Sequence, residues 1–226
     1  MEGSPSPIDT AIFGGSFNPP GLHHRALAAL LLANFDRVLV VPCGFRPDKA
    51  GTTWTWLAPA IRQEMIRLTF AGLDGDAGQD DAPGKTVPAG LAGLDGQSPT
   101  AGRLEFDWSD LARDRFTPTI ELARRFRDRG RLWFVAGADL FAGGGRGESQ
   151  IQREWLEGHQ IWRDLNWVCL TRPGYAVDAA DLPPRHRLLA CDFAGSSSEI
   201  RRRLGAGEAV DELVAPGVAG LLQAAE

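Results

Sequence analysis

Short apolar segments rich in β-branched residues alternate with longer amphipathic segments along this chain of 226 residues. The short runs are typical of strands buried on both faces, and the longer segments have helical periodicity. Repeated strand, helix and strand units require crossover connections and therefore a parallel sheet. The predicted strands are 8–13, 37–42, 131–136, 166–171 and 186–190, and the predicted helices are 22–34, 59–70, 117–129 and 151–165. We therefore predict an α/β fold, a Rossmann-like doubly wound parallel sheet with a small C-terminal helical portion.

Residues 71–102 interrupt this alternation. They are rich in Gly, Asp, Pro and Ala, and the string AGLDG occurs twice, at 71–75 and 92–96. Such a segment buries too little apolar surface to repay its ordering entropy. We predict a flexible insertion within a single domain over 8–226, preceded by a disordered tail over 1–7. The GGGRG stretch at 143–147 is predicted to be flexible as well.

Composition excludes several classes of function. The net charge of −5 argues against a protein that coats nucleic acid, but small anionic substrates remain open. The longest apolar run, 26–33, is too short to cross a membrane, and the first residues lack the parts of a signal peptide. Three scattered cysteines without a C-x-x-C pair favour a reducing, cytoplasmic location over a zinc or redox site. Assembly into a homo-oligomer remains open.

The sequence GGSFNPPGLHH at 14–24 joins the first predicted strand to the first predicted helix. Ligands of parallel sheets bind at such turns. The glycines allow close backbone approach to a phosphate, and a helix start adds N–H donors and positive potential. His23 and His24 could therefore reach the same anion, although paired histidines at a helix start are more often surface residues. Zinc is disfavoured, because neighbouring helical side chains point about 100° apart.

A second predicted helix start follows the last predicted strand, in the sequence GSSSEIR at 195–201. Ser196 and Glu199 have the spacing of a capping box, followed by the guanidinium of Arg201. Alone, this segment would be an ordinary capped helix. Two such helix starts at one sheet edge could hold both ends of a polyphosphate.

The two segments together resemble the nicotinate/nicotinamide mononucleotide adenylyltransferases of the nucleotidylyltransferase superfamily. That family carries G-G-[ST]-F-[DN]-P-x-H-x-G-H near the N-terminus and I-S-S-T-x-I-R near the C-terminus. Further matches in family order are Pro47-Asp48-Lys49 for P-H-K, Phe116-Thr117 for Tyr-Thr, Gly137-Ala138-Asp139 for G-x-D, Arg172-Pro173-Gly174-Tyr175 for R-P-G-Y, and Val214-Ala215-Pro216.

The resemblance implies transfer of AMP from ATP to a pyridine mononucleotide, with release of pyrophosphate and with Mg²⁺ bound through the ATP phosphates. The attacking phosphate is already anionic, so positioning and charge stabilisation suffice. The loop that receives both nucleotides corresponds to Gly14, Gly15, Ser16 and Phe17. Contacts to the ATP phosphates correspond to His24, Lys49, Ser197, Ser198 and Arg201. Other substrate-binding positions are Thr117, Gly137, Asp139 and Arg172, with Trp155 preferred to Trp162 for stacking on the pyridine ring. Core packing is favoured for Trp162.

The chain departs from the family pattern at one catalytic position. Gly21 stands where the family has its first motif histidine, and His23 where it has glycine. A displacement by two positions rotates a helical side chain by about 200°, which argues against a simple replacement unless the turn is rearranged. Three hypotheses follow: an active enzyme in which His23 or Arg25 compensates, a catalytically weakened nucleotide-binding relative or sensor, and a transferase with another phosphorylated acceptor. An oxidoreductase ranks lower, because G-x-G-x-x-G is missing after the first strand.

Overall fold

Six parallel strands form one sheet in the computed structural model, which describes residues 7–46, 57–73, 103–172, 177–193 and 195–224. The strands are β1 (Asp9–Gly15), β2 (Arg37–Pro42), β3 (Arg103–Phe106), β4 (Arg131–Gly137), β5 (Asn166–Thr171) and β6 (His186–Ala190). Their order is β3-β2-β1-β4-β5-β6, with every neighbouring pair parallel. From β1 the chain therefore adds β2 and β3 on one side of the sheet, and then β4, β5 and β6 on the other side. Ligands of such sheets bind at the carboxyl edge, where the order reverses between β1 and β4.

Helices connect the strands and cover the sheet. They are α1 (Leu22–Leu32), α2 (Pro59–Phe70), α3 (Ser109–Ala112), α4 (Thr119–Arg125), α5 (Gln150–Glu154), α6 (Gly158–Asp164), α7 (Ser197–Gly205) and α8 (Val218–Gln223). None of the helices in the described segments has both the length and the hydropathy needed to span a bilayer. The doubly wound parallel sheet confirms the predicted fold class.

The apolar strands are buried because each face of the sheet packs against helices. Along β1, Ala11 and Phe13 point into one core cluster, and Ile12 points into the other. Successive side chains of a strand point to opposite faces, so a strand covered on both sides has a continuous apolar run instead of an alternating one. A third cluster joins α2 to the C-terminal helices α7 and α8 through Met65 and Ile200. This third contact attaches the C-terminal helical portion beside the first turn.

Several predicted elements match the structure, and others need correction. The strands 37–42, 166–171 and 186–190 and the helix 59–70 have the predicted bounds. The predicted helix 117–129 covers only Thr119–Arg125, and the predicted helix 22–34 ends at Leu32. Strand β3 is missing from the prediction. The predicted insertion, from residue 74 onward, and residues 1–6 of the predicted tail lie outside the described residues.

The predicted helix 151–165 is wrong as one element, because the chain turns between α5 and α6. Glu157 adopts a left-handed backbone with φ of 55°. A Cβ on Gly158 would lie 2.2 Å from the carbonyl oxygen of Ile151, so only glycine allows this close turn. Trp155 consequently follows α5 in an extended conformation.

The GGGRG stretch is a hydrogen-bonded turn, contrary to the predicted flexibility. The backbone N–H groups of Gly143 and Gly145 donate to the Asp181 carboxylate at 2.9 and 3.1 Å. A Cβ on Gly144 would lie 2.3 Å from the ring of Trp162. The glycines are therefore needed for packing, and the anion that their N–H groups bind is the Asp181 carboxylate of the same chain.

Candidate active site

The first turn, residues 14–21, leaves β1 at the carboxyl edge of the sheet and enters α1. Gly14 and Gly15 end β1, and Phe17 follows with a positive φ of 46°. The ring of Phe17 is buried, with its centroid 5.4 Å from that of Phe13 and 4.8 Å from that of His24. Phe17 therefore anchors the first turn through its buried ring.

Arg62 supports the first turn from inside the protein. It lies on the buried face of α2 with Met65, Ile66 and Thr69, and its Nη1 donates to the Ser16 carbonyl at 2.7 Å. Burial lowers the pKa of this guanidinium. Arg62 was not among the predicted site residues, although a charge on the apolar stripe of a helix was a detectable signal.

His24 caps its own helix. Its Nδ1 accepts a hydrogen bond from the Gly21 N–H at 3.1 Å. Because Nδ1 is the acceptor, the neutral ring carries its proton on Nε2. The first turn therefore fixes both the orientation of the His24 ring and its tautomer, with the proton on Nε2.

His23 lies beside His24 and folds back over the first turn. The two ring centroids are 3.9 Å apart. Burial, and next the positive charge of Arg172, lower the pKa of His23 to about 4. Arg25 points elsewhere, because its Nη1 donates to the Thr69 and Ala71 carbonyls at 2.9 and 2.7 Å. Of the two residues considered as compensating for the missing histidine, only His23 lies at the first turn.

The serine motif, residues 195–201, docks directly on the first turn. Ser197 Oγ donates to the Pro19 carbonyl at 2.9 Å, and Arg201 Nη1 donates to the Asn18 carbonyl at 2.8 Å. Arg201 Nη2 also donates to Ser198 Oγ at 3.0 Å. The two helix starts therefore meet at one place on the sheet edge, with His24 and Arg201 both attached to residues 18–21.

The predicted capping box of α7 is half present. Ser196 Oγ accepts from the Glu199 N–H at 3.1 Å. The Glu199 carboxylate instead pairs with Arg202 and Arg203, both at 2.9 Å. Salt bridges along α7 therefore hold the acidic side chain away from its own helix start.

A cavity of about 470 Å³ opens beside the first turn. Predicted site residues in its wall are Gly14, Gly15, Thr117 and Trp155. Other wall residues include Arg46 and Phe116, with the Arg46 guanidinium carbon 4.8 Å from the centroid of the Phe116 ring. Trp162 lies outside this wall and packs in the core against Phe141, as predicted.

Thr117 is fixed in the cavity wall by a buried polar network. Its N–H and Oγ1 donate to the two carboxylate oxygens of Asp110 at 3.0 and 2.8 Å. Arg125 completes the network by donating to both Asp110 and Thr117. Asp110 was also not among the predicted site residues, because it lies in a polar segment that has no recognisable motif.

A smaller cavity of about 190 Å³ lies at the ends of β4 and β5, lined by Ala138, Asp139, Leu170 and Arg172. A Cβ on Gly137 would lie 2.5 Å from Oδ1 of Asp139, so glycine lets this carboxylate fold back over the strand end. The predicted Asp139 and Arg172 therefore share one site. Lys49 and residues 173–175 lie outside the described residues.

The described ranges contain no cluster of three or more His, Cys, Asp or Glu side chains that could hold a metal ion. The site is instead rich in donors: backbone N–H groups, hydroxyls, imidazoles and guanidinium groups. Such groups bind the oxygens of phosphates.

Comparison with known proteins agrees with this geometry. No family profile matches the chain. A probable nicotinate-nucleotide adenylyltransferase of Solibacter usitatus is 31% identical over 200 residues, which cover 87% of each chain. One of Thermus thermophilus is 31% identical over 202 residues, covering 88% of each chain.

Two solved structures of nicotinic acid mononucleotide adenylyltransferase from Plasmodium falciparum share the fold. The complex with NaAD has a TM-score of 0.64 at 18% identity and covers 96% of this chain and 95% of its own. The complex with APC has a TM-score of 0.60 at 16% identity, with the same coverage.

The parallel sheet with two helix starts at its carboxyl edge is a Rossmann-like fold shared with these structures. The 31% identical relatives show that the chain is a nucleotidyltransferase. Within that class, the chain belongs to the nicotinate-nucleotide adenylyltransferase family.

Proposed function

We propose that this protein transfers AMP from ATP to nicotinate mononucleotide in NAD biosynthesis. A phosphate oxygen of the mononucleotide attacks the α-phosphorus of ATP. The new P–O bond forms as the bond between the α-phosphorus and the bridging oxygen breaks, and pyrophosphate leaves with that electron pair. The observation that carries the proposal is the meeting of two donor-rich helix starts at residues 18–21, beside a cavity with an aromatic wall.

The reaction requires little covalent chemistry from the protein. The attacking phosphate is already an anion, so no general base is needed, and catalysis comes from alignment and from stabilisation of charge on the phosphate oxygens. We assign contacts with the triphosphate to His24, Arg201, Ser197, Ser198 and Lys49. Backbone groups of the first turn would lie between the two nucleotides.

Mg²⁺ fits this site as a companion of ATP. His24 and Arg201 would hold the triphosphate, and Mg²⁺ bound through the phosphate oxygens would supply further neutralisation of phosphate charge. The buried thiols of Cys169 and Cys191 support a reducing compartment, so we place the activity in the cytoplasm.

The two cavities suggest how the substrates divide. We assign the larger cavity to the mononucleotide, because Trp155 offers a flat surface for the pyridine ring and the wall at Thr117 is held in place by Asp110 and Arg125. We assign the smaller cavity to the ATP side, where Asp139 could accept hydrogen bonds from ribose hydroxyls and Arg172 could meet phosphate.

The test is pyrophosphate release from ATP with a panel of phosphorylated acceptors. We expect turnover with nicotinate mononucleotide and slower turnover with nicotinamide mononucleotide. ATP binding without turnover on any acceptor would instead identify a nucleotide-binding protein or sensor. Turnover only with acceptors that lack a pyridine ring would overturn the choice of substrate.

Replacing Trp155 with alanine is expected to raise KM for the mononucleotide about tenfold, because stacking of an aromatic side chain on a heterocycle contributes about 1–3 kcal/mol. KM for ATP should stay within a factor of two or so, since Trp155 lines only the larger cavity. Trp155→Phe retains a flat ring and should recover most of the loss. Equal effects on both KM values would contradict the assignment of the larger cavity.

A further inference from the structure

The ring of His23 lies where a side chain at position 21 would begin. A Cβ on Gly21 would lie 2.8 Å from both Nδ1 and Cε1 of His23, closer than real Cβ atoms approach their neighbours. Position 21 and the His23 imidazole therefore compete for one volume. Glycine at 21 is the condition for the observed position of His23.

The same ring also faces the serine motif. A Cβ on Gly195, which has a φ of 111°, would lie 3.6 Å from Nδ1 of His23. The imidazole thus lies within contact distance of a side chain that position 195 would carry, and beside the ring of His24. It lies at the junction of the two helix starts that the proposed function assigns to the triphosphate.

The geometry of a helix start explains why the His23 ring points back toward Gly21. The rotation of about 200° expected for a shift of two helical positions did not anticipate this direction. The Cα–Cβ bonds of an α-helix tilt toward its N-terminus, so a residue in the first turn can lay its side chain over the preceding loop. His23 is the second residue of α1, and Gly21 immediately precedes the helix. The displacement by two positions in sequence is therefore largely cancelled in space.

We propose that His23 is a catalytic residue that donates a hydrogen bond to the β- or γ-phosphate of ATP, with its ring in the volume where a side chain at position 21 would begin. We call Gly21 and His23 an exchanged pair, because the histidine and glycine of the H-x-G-H pattern stand in each other's positions. A change at either residue alone should reduce stability or activity. This inference rests on the proposed function.

The charge state of the ring suits this role. Since burial and the nearby Arg172 guanidinium hold the pKa of His23 at about 4, the imidazole is neutral near pH 7. A neutral ring still has one N–H to donate. The positive charge at the junction is left to Arg172 and Arg201.

A cycle of stability measurements tests the exchanged pair without reference to activity. Gly21→Ala should lower Tm by about 5 °C in the wild-type background, because the new methyl group meets the His23 ring. The same change in a His23→Ala background should cost clearly less. Contact with Cδ1 of Ile200, at 2.7 Å from the added Cβ, is present in both backgrounds and so cancels from the cycle. If Gly21→Ala lowered Tm equally in the two backgrounds, residue 21 and the His23 ring would not compete for one volume, and the exchanged pair would be overturned.

Binding and turnover test the catalytic role. His23→Ala should lower kcat about 100-fold and weaken ATP binding measured by calorimetry, while binding of AMP, which lacks the β- and γ-phosphates, should remain unchanged. The transposed variant Gly21→His/His23→Gly should exceed His23→Gly alone by at least about tenfold in kcat, because it returns an imidazole donor to the same helix start. His186→Ala, at the opposite end of the sheet, serves as the control.

The outcomes separate the two proposals. A wild-type protein that makes no dinucleotide contradicts the proposed function, and the comparison of ATP with AMP binding then still decides whether His23 contacts phosphate. A His23→Ala variant with the kcat of the wild type, or an equal loss of ATP and AMP binding in that variant, overturns the role of His23.

Discussion

We expect replacement of His24 by alanine to lower kcat for dinucleotide formation by about 10²- to 10³-fold, the usual loss when one preorganised donor to a developing oxyanion is removed. Because the Gly21 N–H is bonded to Nδ1, the ring proton is on Nε2, and this N–H is the group that the proposed function assigns to the phosphate oxygens. Measurement of pyrophosphate release at saturating substrates gives kcat directly.

His24→Asn separates this donor from the capping role of the ring. An asparagine amide oxygen can take the place of Nδ1 and accept from Gly21, but no group of the shorter side chain reaches the place of Nε2. We expect His24→Asn to retain the stability of the wild type and to share the kinetic loss of His24→Ala. If the asparagine variant kept wild-type kcat, the contribution of His24 would be structural only. His186→Ala, which removes an exposed histidine at the amino end of β6, should change neither quantity.

Strands β1, β2, β4 and β5 were predictable because burial on both faces leaves a strong local signal. The four central apolar runs each pack between two layers of helices, so their sequences are apolar without interruption. Strand β3 gives no such signal. It has four residues, lies at the sheet edge and alternates Arg103 and Glu105 with apolar residues, which suits a strand with one neighbour.

The site was predictable only as a set of segments. Motifs following strands had to meet at the carboxyl edge, and the first turn and serine motif do meet there. Individual side-chain directions depend on contacts distant in sequence. Phe17 turns into the core because Phe13 and Phe70 form a place for its ring, and Arg62 reaches Ser16 across 46 positions. Neither contact follows from periodicity.

Gly44 is the position where a single methyl group should do most damage to the fold around the site. Gly44 follows the end of β2, and its N–H donates to the Arg115 carbonyl at 2.7 Å. A Cβ there would lie 2.1 Å from the Arg115 nitrogen and 2.2 Å from the Asp114 carbonyl carbon. These are backbone atoms, so no side-chain rotation can relieve the contact. The chain leading to Phe116 and Thr117 must move away from the sheet.

We expect Gly44→Ala to destabilise the protein by about 3 kcal/mol or more, at the upper end of overpacking effects, and to lower Tm by about 10 °C. Because Phe116 and Thr117 line the larger cavity, KM for the mononucleotide should rise even at temperatures where the variant is folded. Urea denaturation with a parallel kinetic assay at low temperature measures both effects.

Gly220→Ala is the matched control, since it makes the same chemical change in open space. Gly220 is an exposed residue of α8, and an added Cβ would have no neighbour within 4 Å. Alanine at such a helical position should stabilise the protein by about 0.5–1 kcal/mol, because it restricts the unfolded chain and favours the helix. Opposite signs for the two substitutions would tie the effect of Gly44→Ala to its contact with residues 114 and 115. A small effect at Gly44 would mean that this segment moves easily and that the cavity wall at Thr117 is not fixed.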